Sequence, residues 1–259
     1  MGKEQLFRGR AKDYVAGRPG YAEGVLDEMG RRLGLTEKGD GKRIADVGSG
    51  TGKFSGQLLM RGYEVYGIEP NEEMRREAEA LFQGERRFHS VEGNAEHTGM
   101  KSGWFDAVTC AQAFHWFDGD AFQRECRRIL NREGTIFLIW NMRDMDAELN
   151  RDLYRLFQTH CPDFHGFSAG ISEDDERIVR FFGGRYEKMR WNHPIAFTED
   201  QFMARNRSSS YAKKEGEEGF SAFLQDLRRV FRTYETDGRV WMPNETVMYA
   251  GTVSDRTNA

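Results

Sequence analysis

The feature that most constrains the fold of this chain is a glycine-rich segment, Asp46–Gly52, which reads Asp-Val-Gly-Ser-Gly-Thr-Gly. A short apolar run, 44–47, leads into it, and a helix-like stretch begins at Lys53. A strand that enters a glycine turn at the start of a helix is a place to hold a nucleotide. The dinucleotide fingerprint reads G-x-G-x-x-G, whereas here the third glycine comes one residue earlier. The spacing therefore argues against a pyrophosphate ligand.

Strand-like and helix-like segments alternate through the first half of the chain, which is typical of a parallel sheet covered on both faces. Asn71 is a predicted N-cap, and Met74 and Ala78 share the apolar face of the helix that follows it. The predicted strands lie near 43–47, 63–68, 86–91, 105–111 and 134–140, and the predicted helices near 53–61, 71–82 and 118–130.

The pattern changes after Trp140. A glycine- and aromatic-rich segment, Phe164 to Gly184, has no clear period and is interpreted as an insertion or lid. The other predicted elements of this half are helices near 146–159, 199–211 and 216–235 and strands near 186–197 and 245–253. The last strand would complete the sheet.

Composition excludes several classes of protein. The formal charge is −4, from 38 Lys and Arg against 42 Asp and Glu, and the two signs are interspersed. This pattern is not the footprint of a protein that binds nucleic acid or an anionic membrane. The longest apolar runs, such as Ile136–Trp140, have the length of a strand, and the first residues form no apolar signal region. We therefore expect a cytoplasmic protein with neither a nucleic acid nor a membrane as partner.

The cysteines indicate neither disulfides nor metal. Cys110, Cys126 and Cys161 are odd in number, widely spaced and without a CxxC motif or a histidine at ligand spacing. A disulfide framework and a zinc site are therefore not supported.

An acidic residue stands at the end of the second predicted strand. Glu69 lies 19 residues after Gly50, in the segment Gly67–Asn71. A carboxylate at this position can accept hydrogen bonds from both hydroxyls of a ribose. The alternative is that Glu69 only favours the N-terminus of the next helix. NAD enzymes share this acid, so Glu69 alone does not choose the cofactor.

Five motifs follow one another along the first 140 residues: Asp46–Gly52, Ile68–Pro70, Gly93–Glu96, Phe105–Val108 and Ala111–Asp118. In their order and spacing they resemble the motifs of class I S-adenosylmethionine-dependent methyltransferases. Three further segments are Gln112–Asp118, Trp140–Asp144 and Tyr14–Tyr21. These are similar to segments of the small-molecule methyltransferases related to trans-aconitate methyltransferase, which belong to the methyltransferase type 11 group.

The resemblance implies a fold and a domain plan. The fold is α/β, a Rossmann-like sheet of seven mostly parallel strands with helices on both faces, an antiparallel last strand and a helical or irregular cap. The resemblance implies a single domain over 1–259, divided into an N-terminal lid and first helix (1–42), a cofactor-binding core (43–141), a cap (142–184) and C-terminal strands and helices (185–253).

The resemblance also implies that the cofactor is S-adenosylmethionine, with S-adenosylhomocysteine as the product. Asp46 would hold the loop or the ligand's ammonium group, although a strand-end aspartate that only caps the turn is an open alternative. Asn94 stands where many relatives carry an aspartate that contacts adenine, and a backbone role is equally open. The cofactor-binding residues predicted in this way are Tyr14, Arg18, Asp46, Gly48, Ser49, Gly50, Gly52, Glu69, Pro70, Met74, Asn94, Ala95, Gln112, Ala113 and Trp116.

Methyl transfer is an in-line displacement that positioning in a dry pocket can catalyse without a metal. A carboxylate acceptor needs a cation to orient it, and by resemblance Arg143 and Arg18 are the candidates. A hydroxyl acceptor needs a base, for which His115 is the candidate. The alternatives are an ordinary ion pair for each arginine and a structural histidine.

The sequence thus predicts methyl transfer to a small-molecule acceptor, as O-methylation of a carboxylate or hydroxyl. A catalytically silent module that binds S-adenosylmethionine as a sensor or partner subunit is the alternative, because fold and function separate easily on such scaffolds. A nicotinamide-dependent oxidoreductase is disfavoured by the loop spacing and by the lack of a Tyr-x-x-x-Lys motif.

Overall fold

The structure of the protein is a computed structural model, which describes residues 20–35, 41–167, 175–209 and 211–253. The predicted cofactor contacts of Tyr14 and Arg18 lie outside the described residues. Among the described residues, no helix combines the length and the apolar character that crossing a bilayer requires.

Nine strands are formed by the described residues. Seven of them form one sheet in the order β3-β2-β1-β4-β5-β9-β6, and β7 pairs with β8 in a separate antiparallel ribbon. The large sheet is mixed, with its last strand antiparallel, so the predicted fold class is confirmed. The strands are β1 (Arg43–Val47), β2 (Glu64–Ile68), β3 (Phe88–Val91), β4 (Phe105–Ala111), β5 (Leu130–Arg143), β6 (Tyr186–Asn192), β7 (Ile195–Phe197), β8 (Val240–Met242) and β9 (Asn244–Gly251).

The helices begin where the sequence carries capping residues. Asn71 accepts a hydrogen bond from the backbone N–H of Met74 at 3.0 Å, as predicted, and Thr198 forms a capping box with Gln201. The helices are α1 (Glu23–Arg32), α2 (Lys53–Met60), α3 (Glu72–Leu81), α4 (Gly119–Ile129), α5 (Glu148–His160), α6 (Glu176–Phe182), α7 (Glu199–Arg207) and α8 (Phe220–Tyr234).

The chain divides into two compact units. The first unit comprises the described residues within Met1–Trp140, Glu173–Trp191 and Thr246–Ala259, and the second those within Asn141–Ser172 and Asn192–Glu245. The core of the first unit joins α1 and α2 to the central strands, and the core of the second joins α5, α7 and α8. In both units the helices bury their apolar faces in the core. The predicted subdivision at residues 42, 141 and 184 stays a prediction.

Several elements differ from their prediction. β5, predicted near 134–140, extends over Leu130–Arg143, and β8 was not predicted. The strand predicted at 186–197 is broken after Asn192, because Pro194 has no N–H with which to continue a ladder. Its two parts, β6 and β7, join different sheets. The segment 164–184, predicted to be irregular, contains α6, which Asp175 caps and Gly183 ends with a φ of 62°. This helix is too short to show a clear period in the sequence.

Candidate active site

The glycine loop follows directly from the pairing of β1 with its parallel neighbours. Val47 is in register with Ile68 of β2, so both strands end at the same edge of the sheet. The backbone N–H groups of Gly48 and Ser49 donate to the Ile68 carbonyl at 2.8 and 3.2 Å, which turns the chain sharply across the end of β2. The loop therefore passes over the carboxyl edge of the sheet, where ligands of such folds bind.

The three loop glycines serve different purposes. Gly48, Gly50 and Gly52 have φ values of 70°, 56° and 81°, a region that side chains other than glycine rarely adopt. A Cβ on Gly48 would lie 2.6 Å from the Cβ of Ala113, and one on Gly52 would meet the Phe82 ring. A Cβ on Gly50 would meet only the Met74 sulfur, at 3.9 Å. Packing thus requires glycine at 48 and 52, whereas position 50 leaves an open face.

The Glu69 carboxylate is held in place by backbone donors. Its Oε2 accepts from the N–H of Gly50 at 3.0 Å, and its Oε1 accepts from the N–H of Asn71 at 2.9 Å. The side chain is 7% exposed. Each carboxylate oxygen can accept a second hydrogen bond, so two hydroxyls could still bind. Glu69 ties the glycine loop to the end of β2, a role that neither sequence alternative included.

Arg75 supports this turn from α3. Its Nη1 donates to the carbonyl oxygens of Glu69 and Pro70 at 2.9 and 2.8 Å. The contact holds the backbone on which the Glu69 carboxylate is mounted. The sequence analysis did not predict a role for Arg75. Its position, one turn into the helix that follows Glu69, could have indicated that it reaches back to this turn.

Asp46 is buried beneath the loop, with 1% of its surface exposed. Its two oxygens accept hydrogen bonds from the hydroxyls of Ser55, at 2.6 Å, and Thr109, at 2.8 Å. Burial raises the pKa of this carboxyl to about 6, against the effect of both hydroxyls. In the structure Asp46 joins β1 to α2 and β4, and Ser55 and Thr109 are site residues that the sequence analysis missed.

The pKa of Asp46 leads to a prediction about pH. Because the pKa of Asp46 is higher in the folded state than in the unfolded chain, the protonated carboxyl stabilises the folded state fully at low pH. This contribution to the free energy of unfolding is lost as the pH rises through about 6. Relative to an Asp46→Asn variant, the free energy of unfolding of the wild type should fall by about 1–3 kcal/mol between pH 4 and pH 7. Urea denaturation at several pH values measures this difference, and a difference that does not change with pH would contradict the prediction.

Asn94 lies after β3, in a turn that its own side chain stabilises. Its Oδ1 accepts from the backbone N–H groups of Glu96, at 3.1 Å, and His97, at 2.7 Å. These bonds occupy both lone pairs of the oxygen, which favours the backbone alternative over acceptance of the adenine amino proton. The neighbouring Ala95 is buried.

The turn after β4 presents a strained residue and an exposed aromatic ring. Gln112 has a φ of 60°, which is uncommon for a residue with a side chain, and its N–H donates to the Ile139 carbonyl at 2.9 Å. A single 3₁₀ turn, Phe114–Trp116, follows. Phe114 is buried, whereas Trp116 is 78% exposed. Since Ala113 lies against Gly48, this turn and the glycine loop form one surface.

His115 lies between these two aromatic residues, with its ring 4.7 Å from that of Trp116. Its Nδ1 is buried and makes no hydrogen bond to any described residue. Burial, together with the charge of Arg177, lowers the pKa of the imidazole. At neutral pH the ring is therefore uncharged and able to accept a proton.

Arg143, the predicted orienting cation, lies at the end of β5 in the second unit. Its Nη2 is 3.5 Å from the Asn206 Oδ1, and its guanidinium carbon is 3.9 Å from the centre of the Phe167 ring. Arg143 forms no ion pair with a carboxylate of the described residues. The ordinary ion pair that the sequence left open as an alternative is therefore not seen among these residues. In the described ranges, no group of three or more His, Cys, Asp and Glu side chains could hold a metal ion.

The strand order, the glycine loop and the carboxylate at the end of β2 match the fold of class I S-adenosylmethionine-dependent methyltransferases. Residues 45–138 match the family model described as a methyltransferase domain.

Known methyltransferases are similar to this chain. An uncharacterized methyltransferase of Mycobacterium tuberculosis is 32% identical over 131 residues, which are 51% of this chain and 50% of the relative. The ubiquinone biosynthesis O-methyltransferase of Xanthomonas oryzae is 37% identical over 120 residues, 44% of this chain and 47% of the relative. The chain thus spans about half the length of these curated relatives. A solved structure, a type II methyltransferase from Anaeromyxobacter dehalogenans, shares the fold with a TM-score of 0.65 and 20% identity, over 91% of this chain and 98% of that one.

Proposed function

We propose that the protein transfers the methyl group of S-adenosylmethionine to a carboxylate or hydroxyl oxygen of a small-molecule acceptor. The observation that carries the proposal is the Glu69 carboxylate, which two backbone N–H groups hold beside the open face at Gly50. This arrangement fits a ligand that offers ribose hydroxyls and has no phosphate to cradle. S-adenosylmethionine supplies a methyl group on a positively charged sulfur.

The residues of this chain would contribute positioning rather than covalent chemistry. Glu69 would hold the ribose, and the backbone of the glycine loop would allow the amino acid half of the ligand to approach closely. The exposed Trp116 offers an aromatic face of the kind that stabilises a cation such as a sulfonium. Alignment of the acceptor with the methyl group, away from water, would then provide most of the rate enhancement.

Two considerations support oxygen as the methyl acceptor. The Xanthomonas oryzae relative, which is 37% identical to this chain over 120 residues, is named as an O-methyltransferase. A carboxylate is also ionised at neutral pH and needs no base, whereas a hydroxyl would require one. His115, which is uncharged at neutral pH because burial lowers its pKa, is the candidate base within the turn after β4.

The contribution of His115 should distinguish the two kinds of acceptor. With a hydroxyl acceptor, His115→Asn should lower kcat by about 10²- to 10⁴-fold, the usual range for loss of a general base. With a carboxylate acceptor, the same variant should change kcat by less than about threefold, since no proton has to be removed. Steady-state kinetics with both kinds of acceptor measure this, and equal losses with both would contradict the role of His115 as a base.

The proposal itself is tested by turnover. Purified protein is incubated with S-adenosylmethionine and a panel of small acids, phenols and alcohols, and S-adenosylhomocysteine is quantified. Formation of S-adenosylhomocysteine that depends on an acceptor supports the enzyme. Tight binding of S-adenosylhomocysteine without turnover on any acceptor would instead support the catalytically silent module. A thermal shift with NAD and none with S-adenosylhomocysteine would refute both.

A further inference from the structure

The loop that joins β3 to β4, residues 92–104, contains neither a helix nor a strand. Buried backbone groups in such a segment need partners from elsewhere in the chain. Helix α4 holds this loop at two points. The backbone N–H of Asp118, just before α4, donates to the Glu96 Oε1 at 3.0 Å, and Glu125, inside α4, is bonded to Thr98. The position of the β3–β4 loop therefore depends on α4.

The carboxylate of Glu125 is buried and accepts four hydrogen bonds. Its Oε1 accepts from the backbone N–H of Thr98 at 2.9 Å and from the Thr98 hydroxyl at 2.5 Å. Arg128 donates to Oε1 through Nη2 at 2.6 Å and to Oε2 through Nε at 2.7 Å. Burial raises the pKa of this carboxyl, but the hydrogen bonds from Arg128 and Thr98 outweigh burial and lower the pKa to about 2. Glu125 is therefore charged at neutral pH, and both donors of the completely buried Thr98 are bonded to it.

An ordinary ion pair does not account for these contacts. On α1, Glu28 accepts hydrogen bonds from Arg31 and Arg32, which lower the pKa of its carboxyl to about 2 as well. Among the described residues, the partners of Glu28 all lie on α1 itself. In contrast, two of the four bonds to Glu125 come from a segment 27 residues away. They fix the β3–β4 loop, which a pair within one helix cannot do.

The β3–β4 loop lies beside the turn that carries Glu69. Val91 of β3 is in register with Ile68 of β2, and the Glu69 N–H donates to the Val91 carbonyl at 3.1 Å. A Cβ on Gly93 would lie 3.1 Å from the Ile68 side chain and 3.0 Å from the Thr98 carbonyl oxygen. The loop therefore packs against the end of β2, and a ribose held by Glu69 would have this loop as its neighbour.

A buried backbone donor of this loop lacks a partner. Ala95 is 2% exposed, and its N–H forms no hydrogen bond to any described residue. A buried N–H is almost always paired, so this one fits an acceptor on a ligand. A purine base offers such acceptors at its ring nitrogens. Ala95 stands three residues before Thr98, so the bonds between Thr98 and Glu125 help to set the direction of this donor.

We propose that Glu125 is a positioning residue for the purine base of the cofactor. Through Thr98 it holds the β3–β4 loop so that the Ala95 N–H donates to a nitrogen of that base. In this role Glu125 acts through Thr98 and has no contact of its own with the cofactor. The inference rests on the cofactor proposed above, because a base at this place requires a ribose at Glu69.

The test separates binding of the base from binding of the rest of the cofactor. Calorimetry on the full chain measures the Kd of S-adenosylhomocysteine and, by competition, that of S-ribosylhomocysteine, which lacks the base. The wild type should bind S-adenosylhomocysteine at least about tenfold more tightly. Glu125→Gln should reduce this ratio by about three- to tenfold, the effect of one lost hydrogen bond, while the Kd of S-ribosylhomocysteine stays within about twofold.

Variants of Thr98 test the same bonds from the side of the loop. Thr98→Val removes the hydroxyl donor and should also lower the ratio, by about threefold. Thr98→Ser keeps the hydroxyl, so its ratio should stay within about twofold of the wild-type value. If Glu125→Gln does not fold, as judged by thermal unfolding, this pair still decides the question, because equal losses in both Thr98 variants would overturn the proposal.

The matched control is Glu28→Gln. It removes a carboxylate that has the same kind of arginine partners but is bonded to no loop. Both Kd values should stay within about twofold of the wild type. A fall in the ratio as large as that in Glu125→Gln would attribute the effect to general loss of stability and would contradict the positioning role.

The remaining outcomes distinguish this inference from the function on which it rests. If Glu125→Gln weakens both ligands by the same factor or leaves the ratio unchanged, Glu125 does not position the base. A ratio of about one in the wild type would overturn the inference as well, and the proposed cofactor would stand because S-adenosylhomocysteine still binds. Failure of the wild type to bind S-adenosylhomocysteine at all would refute the proposed cofactor and the positioning role together.

Discussion

Replacing Gly52 with alanine is expected to lower the free energy of unfolding by about 3 kcal/mol. The residue has a φ of 81°, which strains any residue with a Cβ. The added methyl would also meet the Phe82 ring and lie 3.3 Å from the Cβ of Ala78. Phe82 cannot move away easily, because it is nearly buried and its ring centre lies 4.5 Å from that of Phe88. Urea denaturation of the two proteins measures the loss.

Two other glycines separate strain from steric contact. Gly84 has a φ of 87° and open space around its Cβ position, so Gly84→Ala should cost only the strain, about 1 kcal/mol. Gly50→Ala should lower the free energy of unfolding by a similar amount. Its methyl would also project onto the open face, so the Kd for S-adenosylhomocysteine should rise tenfold or more. Equal stability losses at Gly52 and Gly84 would contradict the role of the Phe82 contact.

Glu69→Ala is expected to raise the Kd for S-adenosylhomocysteine by about 10- to 100-fold, equivalent to roughly 1–3 kcal/mol. The variant removes the charged acceptor for the ribose hydroxyls. It also leaves the N–H groups of Gly50 and Asn71 without their partner, so the loop loses the bond that ties it to β2. Isothermal titration calorimetry measures the affinity.

The control for this variant is Glu73→Ala, which removes an exposed carboxylate from the first turn of α3. This change should leave the affinity within about twofold, because surface charges contribute little. A Glu69→Gln variant keeps an acceptor oxygen but replaces the other with an amide donor that faces an N–H group. Glu69→Gln should therefore bind S-adenosylhomocysteine less tightly than the wild type does. Unchanged affinity in Glu69→Ala would refute the ribose assignment.

Much of the fold can be predicted from local patterns. The apolar runs of β1, β2 and β4 and the helix that Asn71 caps all appear where alternation and capping residues predict them. Glycine spacing and the distance to Glu69 indicated a nucleotide-type site at the carboxyl edge of the sheet, and the structure brings these residues together. Pairings between distant segments were not predictable in this way. Asp46 accepts from Thr109 only because β1 and β4 are neighbours in that register, which no spacing in the chain reveals.

The division between the two kinds of information follows from the range of the forces. Strand, helix and turn preferences act over a few residues, so the sequence alone identified the loop at Gly48–Gly52, the acidic residue after β2 and the class of fold. Burial and long-range contacts exist only once the chain is folded. The tertiary structure therefore decided that Gly50 faces open space while Gly52 faces the ring of Phe82. It decided as well that Asp46 is buried, which raises the pKa of its carboxyl. It also decided that Arg143 has a buried Nη1 without a hydrogen-bond partner among the described residues.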